Sequence, residues 1–446
     1  MIYIGRAVHS IDANECEYLS LGGIKVNDET KMIEKVEEIH DLHGYLHENS
    51  GENIFKLEDD EFFSPGFVDT HTHAPQFPNI GYGFKLQLMD WLNSVTFPTE
   101  SKYEDVEVAL KDYKRVVEAT ISAGTTTCSY YGSLHLDATK VLAKVCHDLG
   151  QRALVGKVNM DRNSIESYKD KSIDESFNKT VEFVNYVNNL NSSLVLPVIT
   201  PRFAICCSDD LLKRLGKYVN ENDLHIQTHL SENTDEIDFT LSLFPNLEDE
   251  TYTDIYNNRG LINDKTILAH CCHLSENELK IIKDKNAGVS HCPTSNFNLR
   301  SGIAQIAYML EKGIKVGLGS DCSGGYELGI LNVLRNASLA SKTLEIINQN
   351  KSSTYLSLEN LFYLATLGGA KVCNLDKVVG NFKVGKKFDA LVIKPYNEIN
   401  KSLFESSSSL CKKDSKEKLK TDWERWLFGG ERSNIKNVII DNKIII

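Results

Sequence analysis

The middle of the chain alternates between short apolar runs and amphipathic segments, and this alternation constrains the fold more than any other feature. Eight apolar or β-branched runs are predicted to be strands: Gly66–His73, Thr125–Gly132, Ala153–Asp161, Ser193–Thr200, Asp223–Glu232, Thr266–His273, Gly288–Asn296 and Lys315–Cys322. Predicted helices lie between most of them, for example Asp105–Ala119, Leu136–Leu149, Leu211–Val219 and Ser275–Asp284. Eight β–α units over about 250 residues predict an α/β fold with a TIM-like (β/α)8 barrel. A doubly wound sheet is disfavoured because no GxGxxG opens a helix after the first strand.

Both ends of the chain are predicted to be β-rich. Strand-like pieces occur before residue 65, such as Met1–Ala7, and strand-like runs return at Ala390–Ile393 and Val438–Ile446. We therefore predict a small β-sandwich domain formed from both chain ends beside the barrel. The predicted boundaries are 1–64 for the N-terminal part of this domain, 65–375 for the catalytic barrel and 376–446 for the C-terminal part. The Ser- and Lys-rich stretch 402–420 is predicted to be a loop or a mobile insertion.

The charge of the chain disfavours two classes of partner. Lys and Arg number 49 and Asp and Glu number 62, so the formal net charge is −13. Nucleic acids and anionic membranes need a basic face, so we predict neither as a partner. This charge is compatible with a small neutral substrate.

The cysteines and the apolar runs bear on the compartment. The eleven cysteines are an odd number and include no CxxC pair, which favours a reducing compartment. No signal-peptide pattern opens the chain, and no run approaches the ~18 apolar residues of a spanning helix. We predict a cytoplasmic protein.

The strongest local motif is FVDTHTH at residues 67–73. His71 and His73 are two residues apart, so in a strand both side chains lie on the same face. If this run is the first barrel strand, they lie at its C-terminal end, where barrel active sites are built. Two imidazoles on one face suit a divalent metal such as zinc.

Further candidate ligands interrupt or end later apolar runs. His229 and Glu232 close the fifth run, His270 lies in the sixth, and Asp321 closes the eighth. Each would project at the mouth of the barrel. A single histidine can be an ordinary hydrogen-bonded residue, and Asp321 can be a helix N-cap. Chance is a much weaker explanation for all five together, counting the His71–His73 pair with His229, Glu232, His270 and Asp321.

Three histidines and one carboxylate leave an open position for water on a metal, which lowers the pKa of that water. Glu232 can carry a proton between the water and a substrate nitrogen. Asp321 can bind the metal and accept a hydrogen bond from the attacking water, and His270 can donate one to a developing oxyanion. The fourth run, VLPVIT, carries no Lys or acid near its end, which favours one metal over two.

These residues resemble the amidohydrolase superfamily. The motifs PGFVDTHTH, HLSEN, AHCCHLS, HCPTSN and GLGSDCSGG follow that superfamily's order, and the tail GNFKVGKKFDALVI resembles the return into its composite β-domain. Within it, the resemblance is to the guanine deaminase family. It is carried by HAPQF (73–77), LMDWLNSVTFPTE (88–100), AGTTTCSYYGSLH (123–135), ITPRFAICCS (199–208) and LHIQTHLSENTDEI (224–237).

The resemblance implies a zinc-dependent deamination of guanine to xanthine and ammonia in purine catabolism, in a homodimer with one Zn²⁺ per subunit. It also implies roles for single residues. Glu232 falls on the proton-shuttling acid and His270 on the auxiliary histidine. The zinc ligands fall on His71, His73, His229 and Asp321. The positions that hold the purine fall on Gln76, Arg202 and Phe203.

The chemistry of guanine fits these positions. Arg202 has only donors, so it would pair with the C6 carbonyl and leave the amino group of adenine facing another donor. Phe203 could stack on the ring, and Trp91 could help to roof the pocket. A surface ion pair for Arg202 and a core position for Trp91 are the simpler interpretations.

Two other functions stay open. One is a related aminohydrolase acting on another nucleobase, on a modified guanine such as 8-oxoguanine, or on an s-triazine-like ring. The other is a non-catalytic scaffold with the same fold, which the loss of a ligand or of Glu232 would have favoured.

Overall fold

Parallel strands arranged as a nearly closed barrel form the centre of the molecule in the computed structural model, which describes residues 1–244, 250–348, 355–404 and 415–446. The strands in chain order are β1 (Ile2–Ser10), β2 (Cys16–Val26), β3 (Ile33–Glu38), β4 (Ile54–Lys56), β5 (Phe62–Pro65), β6 (Phe67–His73), β7 (Thr125–Tyr131), β8 (Arg152–Gly156), β9 (Val158–Asn159), β10 (Val195–Pro201), β11 (His225–Leu230), β12 (Thr266–His270), β13 (Gly288–His291), β14 (Lys315–Leu318), β15 (Ala390–Ile393), β16 (Ile435–Ile440) and β17 (Lys443–Ile444).

Helices cover the barrel and form the segment above its mouth. They are α1 (Leu42–Glu48), α2 (Leu88–Trp91), α3 (Phe97–Glu100), α4 (Val106–Ser122), α5 (Leu136–Leu149), α6 (Ile173–Asn189), α7 (Asp209–Asn222), α8 (Thr234–Ser242), α9 (Tyr252–Asn258), α10 (Glu276–Asp284), α11 (Pro293–Asn298), α12 (Ile306–Glu311), α13 (Ile330–Ile347), α14 (Leu358–Tyr363), α15 (Gly369–Val372) and α16 (Ser415–Gly429). A π-helical turn, Leu92–Thr96, joins α2 to α3.

The barrel strands pair in parallel in the order β14-β13-β12-β11-β10-β8-β7-β6, with the short β9 also paired to β10. The two ends of this path meet through Thr70, whose Oγ1 donates a hydrogen bond to the carbonyl of Leu318 at 2.8 Å. The backbone N–H of Asp321 donates another to the carbonyl of His71 at 2.9 Å. Helices cover the outer face and side chains fill the interior, so these strands are buried along almost their whole length.

Both chain ends contribute to a second sheet, separate from the barrel. Its strand order is β17-β16-β15-β5-β1-β2-β3, and β4 pairs with β1. Strand β15 from the C-terminal part pairs antiparallel with β5 from the N-terminal part, which joins the two ends of the chain. The predicted fold class, a (β/α)8 barrel beside a small β domain formed from both chain ends, is confirmed; the structure gives the domain that was predicted as a β-sandwich as one eight-stranded sheet. The exact residue boundaries of the domains stay a prediction.

Two contacts join the C-terminal part of the chain to the barrel. The ring of Trp426 in α16 stacks on Phe67 at the start of β6, with ring centroids 5.7 Å apart. At the start of β8, Arg152 donates two hydrogen bonds to Asp389, from Nε at 3.1 Å and from Nη2 at 3.2 Å. Both side chains of this ion pair are buried, and it lies at the N-terminal end of β8, away from the barrel mouth.

Two local predictions were wrong. The seventh run was predicted as a strand to residue 296, but the strand ends at His291 and α11 follows, because Pro293 sits at the first helical position. Part of the stretch 402–420 was predicted as a loop but is helical from Ser415, where Leu419 begins the buried face of α16. Residues 405–414 of that stretch lie outside the described residues.

Two further observations concern membranes and cysteines. Within the described ranges, no helix has the length and apolarity needed to cross a membrane. Every cysteine in those ranges is free, and all but Cys16 are buried.

The fit of α7 against the loop after α9 gives a stability prediction. Alanine usually stabilises a helix relative to glycine by about 1 kcal/mol. A Cβ on Gly216 would instead lie 1.8 Å from the backbone carbonyl oxygen of Arg259. We expect Gly216→Ala to lower the free energy of unfolding by about 2–3 kcal/mol, because the two backbones must move apart. Denaturant unfolding followed by circular dichroism measures this change.

The control is Gly51→Ala, since a Cβ at Gly51 meets no atom within 4 Å and the backbone there is not left-handed. We expect a change below about 0.5 kcal/mol for this surface substitution. Equal stability of the two variants would contradict the close helix contact.

Candidate active site

Four histidines and an aspartate converge at the C-terminal ends of the barrel strands. His71 and His73 end β6, His229 lies near the end of β11, and His270 ends β12. Asp321 follows β14. Because parallel barrel strands all end at the same mouth, side chains that are far apart in sequence meet there.

The ring nitrogens and the carboxylate are close enough to share one ion. Nε2 of His71 lies 3.3 Å from Oδ1 of Asp321, and Nε2 of His73 lies 3.6 Å from the same oxygen. Nε2 of His73 also lies 3.1 Å from Nε2 of His229. One ligand atom from each of His71, His229, His270 and Asp321 falls within 4.8 Å of the others. This group contains His270 where the sequence predicted His73.

Hydrogen bonds outside the cluster set the tautomers of two histidines. Nδ1 of His229 lies 2.6 Å from the backbone carbonyl of Arg202, which can only accept, so Nδ1 carries the proton. Nδ1 of His71 lies 2.8 Å from Oε1 of Gln227, whose Nε2 donates to Ser129. In both rings Nε2 is therefore left with a free lone pair that faces Asp321 or His73. Metal-ligating histidines are oriented in this way.

The cluster suits a divalent cation. Nε2 of His71 is buried and lacks a hydrogen-bond donor. The facing Nε2 atoms of His73 and His229 repel each other unless a proton or a cation lies between them. Burial alone would raise the pKa of Asp321, but its close contacts with His71 and with the other histidines of the cluster hold it well below its usual value. Neutral imidazoles beside an ionised carboxylate form a donor set that zinc accepts.

The pKa directions divide the histidines into two kinds. Burial lowers the pKa of His73 and of His229 well below the usual value, and neighbouring histidines add to this effect. Burial acts in the same direction on His270, but Glu232 and Asp321 outweigh it, so the pKa of His270 is raised. Nδ1 of His270 lies 2.8 Å from Oδ1 of Asn296, which fixes the ring. The two lowered histidines favour the neutral form that a ligand needs, and His270 favours the cation.

Glu232 lies between this cluster and the open part of the site. Its Oε2 is 3.5 Å from Nε2 of His270, and its Oε1 accepts a hydrogen bond from Oγ of Ser301 at 2.7 Å. Burial raises the pKa of Glu232, and the charge of His270 opposes part of that rise. A buried carboxyl with a raised pKa can both take up and release a proton near neutral pH.

Left-handed backbone conformations occur at three of these strand ends. The φ angles are 50° at Ser231, 71° at His270 and 46° at Asp321. Residues with a Cβ rarely adopt this region, and such strain concentrates at functional sites. Each such residue turns the chain sharply where a site side chain leaves its strand.

A cavity of about 380 Å³ opens from the cluster. Its walls combine side chains of the cluster with apolar side chains and with the predicted purine-holding residues. The lining includes His73, Gln76, Leu88, Trp91, Leu92, Arg202, Phe203, His229, Glu232, His270, Leu299 and Asp321.

The segment 88–100 roofs the cavity. Leu88 and Trp91 in α2 and Leu92 in the following π-helical turn face it and are almost fully buried. The sequence left open a core position or a place in the pocket roof for Trp91. Both descriptions apply, because Trp91 is buried and also lines the cavity. The ring centroid of Phe203 lies 6.1 Å from that of His229, which places an aromatic ring beside the metal-type cluster.

The polar end of the cavity is held by a carboxylate that the sequence did not single out. Arg202 is buried, so the surface ion pair considered for it is wrong. It pairs instead with Glu100, from Nη1 to Oε2 at 2.6 Å. Gln76 also donates to Glu100, from Nε2 to Oε1 at 2.8 Å. The roofing segment ends in an acidic residue, Glu100. That position alone is only weak sequence evidence for a role in the site.

All ten predicted site residues lie at this mouth of the barrel, and all but His71 line the cavity itself. His71 is fully buried and does not line the cavity. The residues that were missed act through others: Gln227 and Asn296 orient His71 and His270, and Ser301 holds Glu232. No sequence pattern identifies an amide or a hydroxyl that is brought beside a ligand only by folding.

Comparison with known proteins places the chain among enzymes of this architecture. The profile of the Amidohydrolase family matches residues 62–445. A guanine deaminase of Dictyostelium discoideum is 40% identical, with 99% of this chain and 98% of that protein aligned. A guanine deaminase of Rattus norvegicus is 40% identical, with 89% of this chain and 86% of that protein aligned.

A solved structure of guanine deaminase from C. acetobutylicum, with guanine bound in its active site, superposes with a TM-score of 0.89. It is 33% identical, and the superposition covers 100% of this chain and 99% of that one. Amidohydrolase family members are metal-dependent. The matched profile, the identity over the whole length and the superposition agree that the chain belongs to the amidohydrolase family, among its guanine deaminases.

Proposed function

We propose that this protein is a guanine deaminase that hydrolyses guanine to xanthine and ammonia with one bound divalent metal ion. The observation that carries the proposal is the single cavity in which Arg202 and Gln76 face the group formed by His229, Glu232 and Asp321. One end offers hydrogen bonds to a purine edge, and the other offers a metal site and a proton carrier. A flat heterocycle with an exocyclic amine spans both ends.

The ligands that we propose are His71, His73, His229 and Asp321, holding Zn²⁺. His73 is preferred to His270 because its pKa is lowered, and a ligand nitrogen must be unprotonated. When bound, the ion lowers the pKa of a coordinated water and so makes hydroxide available near neutral pH.

Glu232 moves the protons in the proposed reaction. It takes a proton from the attacking water and delivers it to the ring nitrogen next to C2, as the water oxygen adds to C2. Asp321 accepts a hydrogen bond from that water, and His270 donates one to the oxygen that forms on C2. Glu232 then takes the remaining proton from the new C2 hydroxyl and delivers it to the amino group. The C2–N bond breaks, ammonia leaves, and the oxygen on C2 becomes a carbonyl of xanthine.

Substrate orientation falls to the opposite wall. Arg202 donates to the C6 carbonyl of guanine, and Gln76 bonds the adjoining ring edge. Phe203 stacks on the purine and Trp91 closes the roof, so that water is kept from the ring. Adenine would place an amino group against the donors of Arg202, and its binding would lose that hydrogen bond.

A cytoplasmic location and a homodimeric assembly are also proposed. Free, mostly buried cysteines support a reducing compartment, and the resemblance to guanine deaminases supports the dimer. Size-exclusion chromatography with light scattering tests the assembly.

A substrate panel tests the function. Purified, zinc-loaded protein is incubated with guanine, 8-oxoguanine, adenine, cytosine and an s-triazine, and ammonia release is measured. We expect guanine to exceed adenine in kcat/KM by at least about 10³-fold, because a site built on hydrogen bonds rejects an analogue that leaves them unpaired.

Absence of guanine turnover would sink the proposed function. If another ring turns over instead, the related aminohydrolase is supported. If none turns over, the non-catalytic scaffold is supported.

A further inference from the structure

A buried carboxylate outside the proposed reaction lies against the purine-holding end of the cavity. Glu100 ends α3, and its side chain is fully buried. Its two oxygens accept hydrogen bonds from Nη1 and Nη2 of Arg202 at 2.6 and 3.1 Å. Such a two-point bond fixes the plane of the guanidinium as well as its position.

The same carboxylate fixes a second side chain. Nε2 of Gln76 donates to Oε1 of Glu100 at 2.8 Å, and Oε1 of Gln76 accepts from the backbone N–H of Ser323 at 3.0 Å. A backbone N–H can only donate and a carboxylate can only accept. The amide of Gln76 therefore cannot flip without losing both bonds.

The charge of Arg202 is also compensated at this point. Burial alone would lower the pKa of Arg202, but the carboxylate of Glu100 more than offsets this, so the pKa is raised and the cation persists. The guanidinium also lies over the ring of Phe97, 5.0 Å from its centroid. Phe97 belongs to the same short helix as Glu100. An arginine so compensated presents donors to the cavity without an unpaired charge, which suits a neutral ligand.

We propose that Glu100 is a positioning residue that determines specificity for the 6-oxo edge of the purine. It holds Arg202 and Gln76 in one orientation before substrate arrives, so that binding does not have to order them. The guanidinium N–H groups that do not bond Glu100 are then left for the C6 carbonyl. This inference rests on the proposed function, since it names what selects the substrate of that site.

A second buried ion pair in the chain shows what a purely structural role looks like. Asp389 bonds Arg152 through two hydrogen bonds of 3.1 and 3.2 Å, and both side chains are buried. This pair joins the barrel to the β sheet and does not line the cavity. It has the chemistry and burial of the pair at Glu100 without its place beside the substrate, so Asp389→Asn is a matched control.

The test is a double-mutant cycle on guanine turnover. Glu100→Gln, Arg202→Met and the double variant are compared with the unaltered protein, per mole of folded, metal-loaded enzyme. We expect each single substitution to lower kcat/KM by about 100-fold. Because Glu100 acts through Arg202, the two losses should not multiply. We expect kcat/KM of the double variant to be no more than about threefold below that of the less active single variant. Glu100→Asp, which keeps the charge, should recover part of the loss.

Three outcomes would overturn the proposal. Losses that multiply in the double variant mean that Glu100 acts independently of Arg202. An unchanged kcat/KM in Glu100→Gln, or an equal loss in Asp389→Asn, means that the role is structural. If Glu100→Gln does not fold, the cycle is run with Glu100→Asp and read by the same criteria. Inactivity of the unaltered protein on guanine would refute the proposed function instead.

Discussion

Glu232→Gln is expected to retain the bound metal and lose guanine turnover by about 10³-fold or more, because glutamine cannot take up or deliver a proton. The substitution keeps the size of the side chain, and its carbonyl can still accept the hydrogen bond from Oγ of Ser301. It removes the carboxylate that faces Nε2 of His270. Steady-state ammonia release gives kcat, and elemental analysis of the dialysed protein gives the metal content.

A second buried glutamate provides the control for this change. Oε2 of Glu236 accepts a hydrogen bond from the backbone N–H of Glu232 at 2.7 Å, and Glu236 does not line the cavity. Burial, with the charge of Glu232, raises the pKa of Glu236 to about 7. Its neutral form is already substantial near neutral pH, and we expect Glu236→Gln to keep kcat within about tenfold. Substantial residual turnover in Glu232→Gln would refute the proton-carrying role.

Periodicity explains why the barrel could be predicted. The two-residue spacing of His71 and His73 places both on one face of a strand, and this holds wherever the strand sits. The fifth and eighth runs end in polar residues for the same reason, since a barrel strand changes from apolar to polar where it reaches the mouth. Local pattern therefore identified His229 and Asp321 as residues of that mouth.

Elements set by tertiary contact could not be predicted in this way. Glu100 is placed by an insertion whose path over the cavity depends on the packing of Leu88 and Trp91, and no local pattern records that path. The helix from Ser415 follows a Ser- and Lys-rich stretch that reads as a loop, and its stability comes from Trp426 packing on the barrel.

Removal of the metal is the second change expected to have a very large effect. Dialysis against a chelator should abolish guanine turnover, a loss of at least about 10³-fold, because no side chain of the site can lower the pKa of water in its place. Reloading with Zn²⁺ should restore turnover. It should also raise the temperature of thermal unfolding, because the ion binds the folded chain. The control is His225→Ala, because His225 begins the strand that carries His229. The His225→Ala protein should keep its metal, whereas the His229→Ala protein should lose it.

The same measurement decides between the two possible ligand sets. The predicted set contains His73, whereas the tightest group of ligand atoms contains His270. If His73 is the ligand, His73→Ala should weaken metal binding by at least about 10–100-fold, and His270→Ala should retain the metal while losing turnover. The raised pKa of His270 favours this outcome, because an imidazolium has no lone pair to give. Metal loss in His270→Ala with retention in His73→Ala would reverse the assignment and move oxyanion stabilisation to His73.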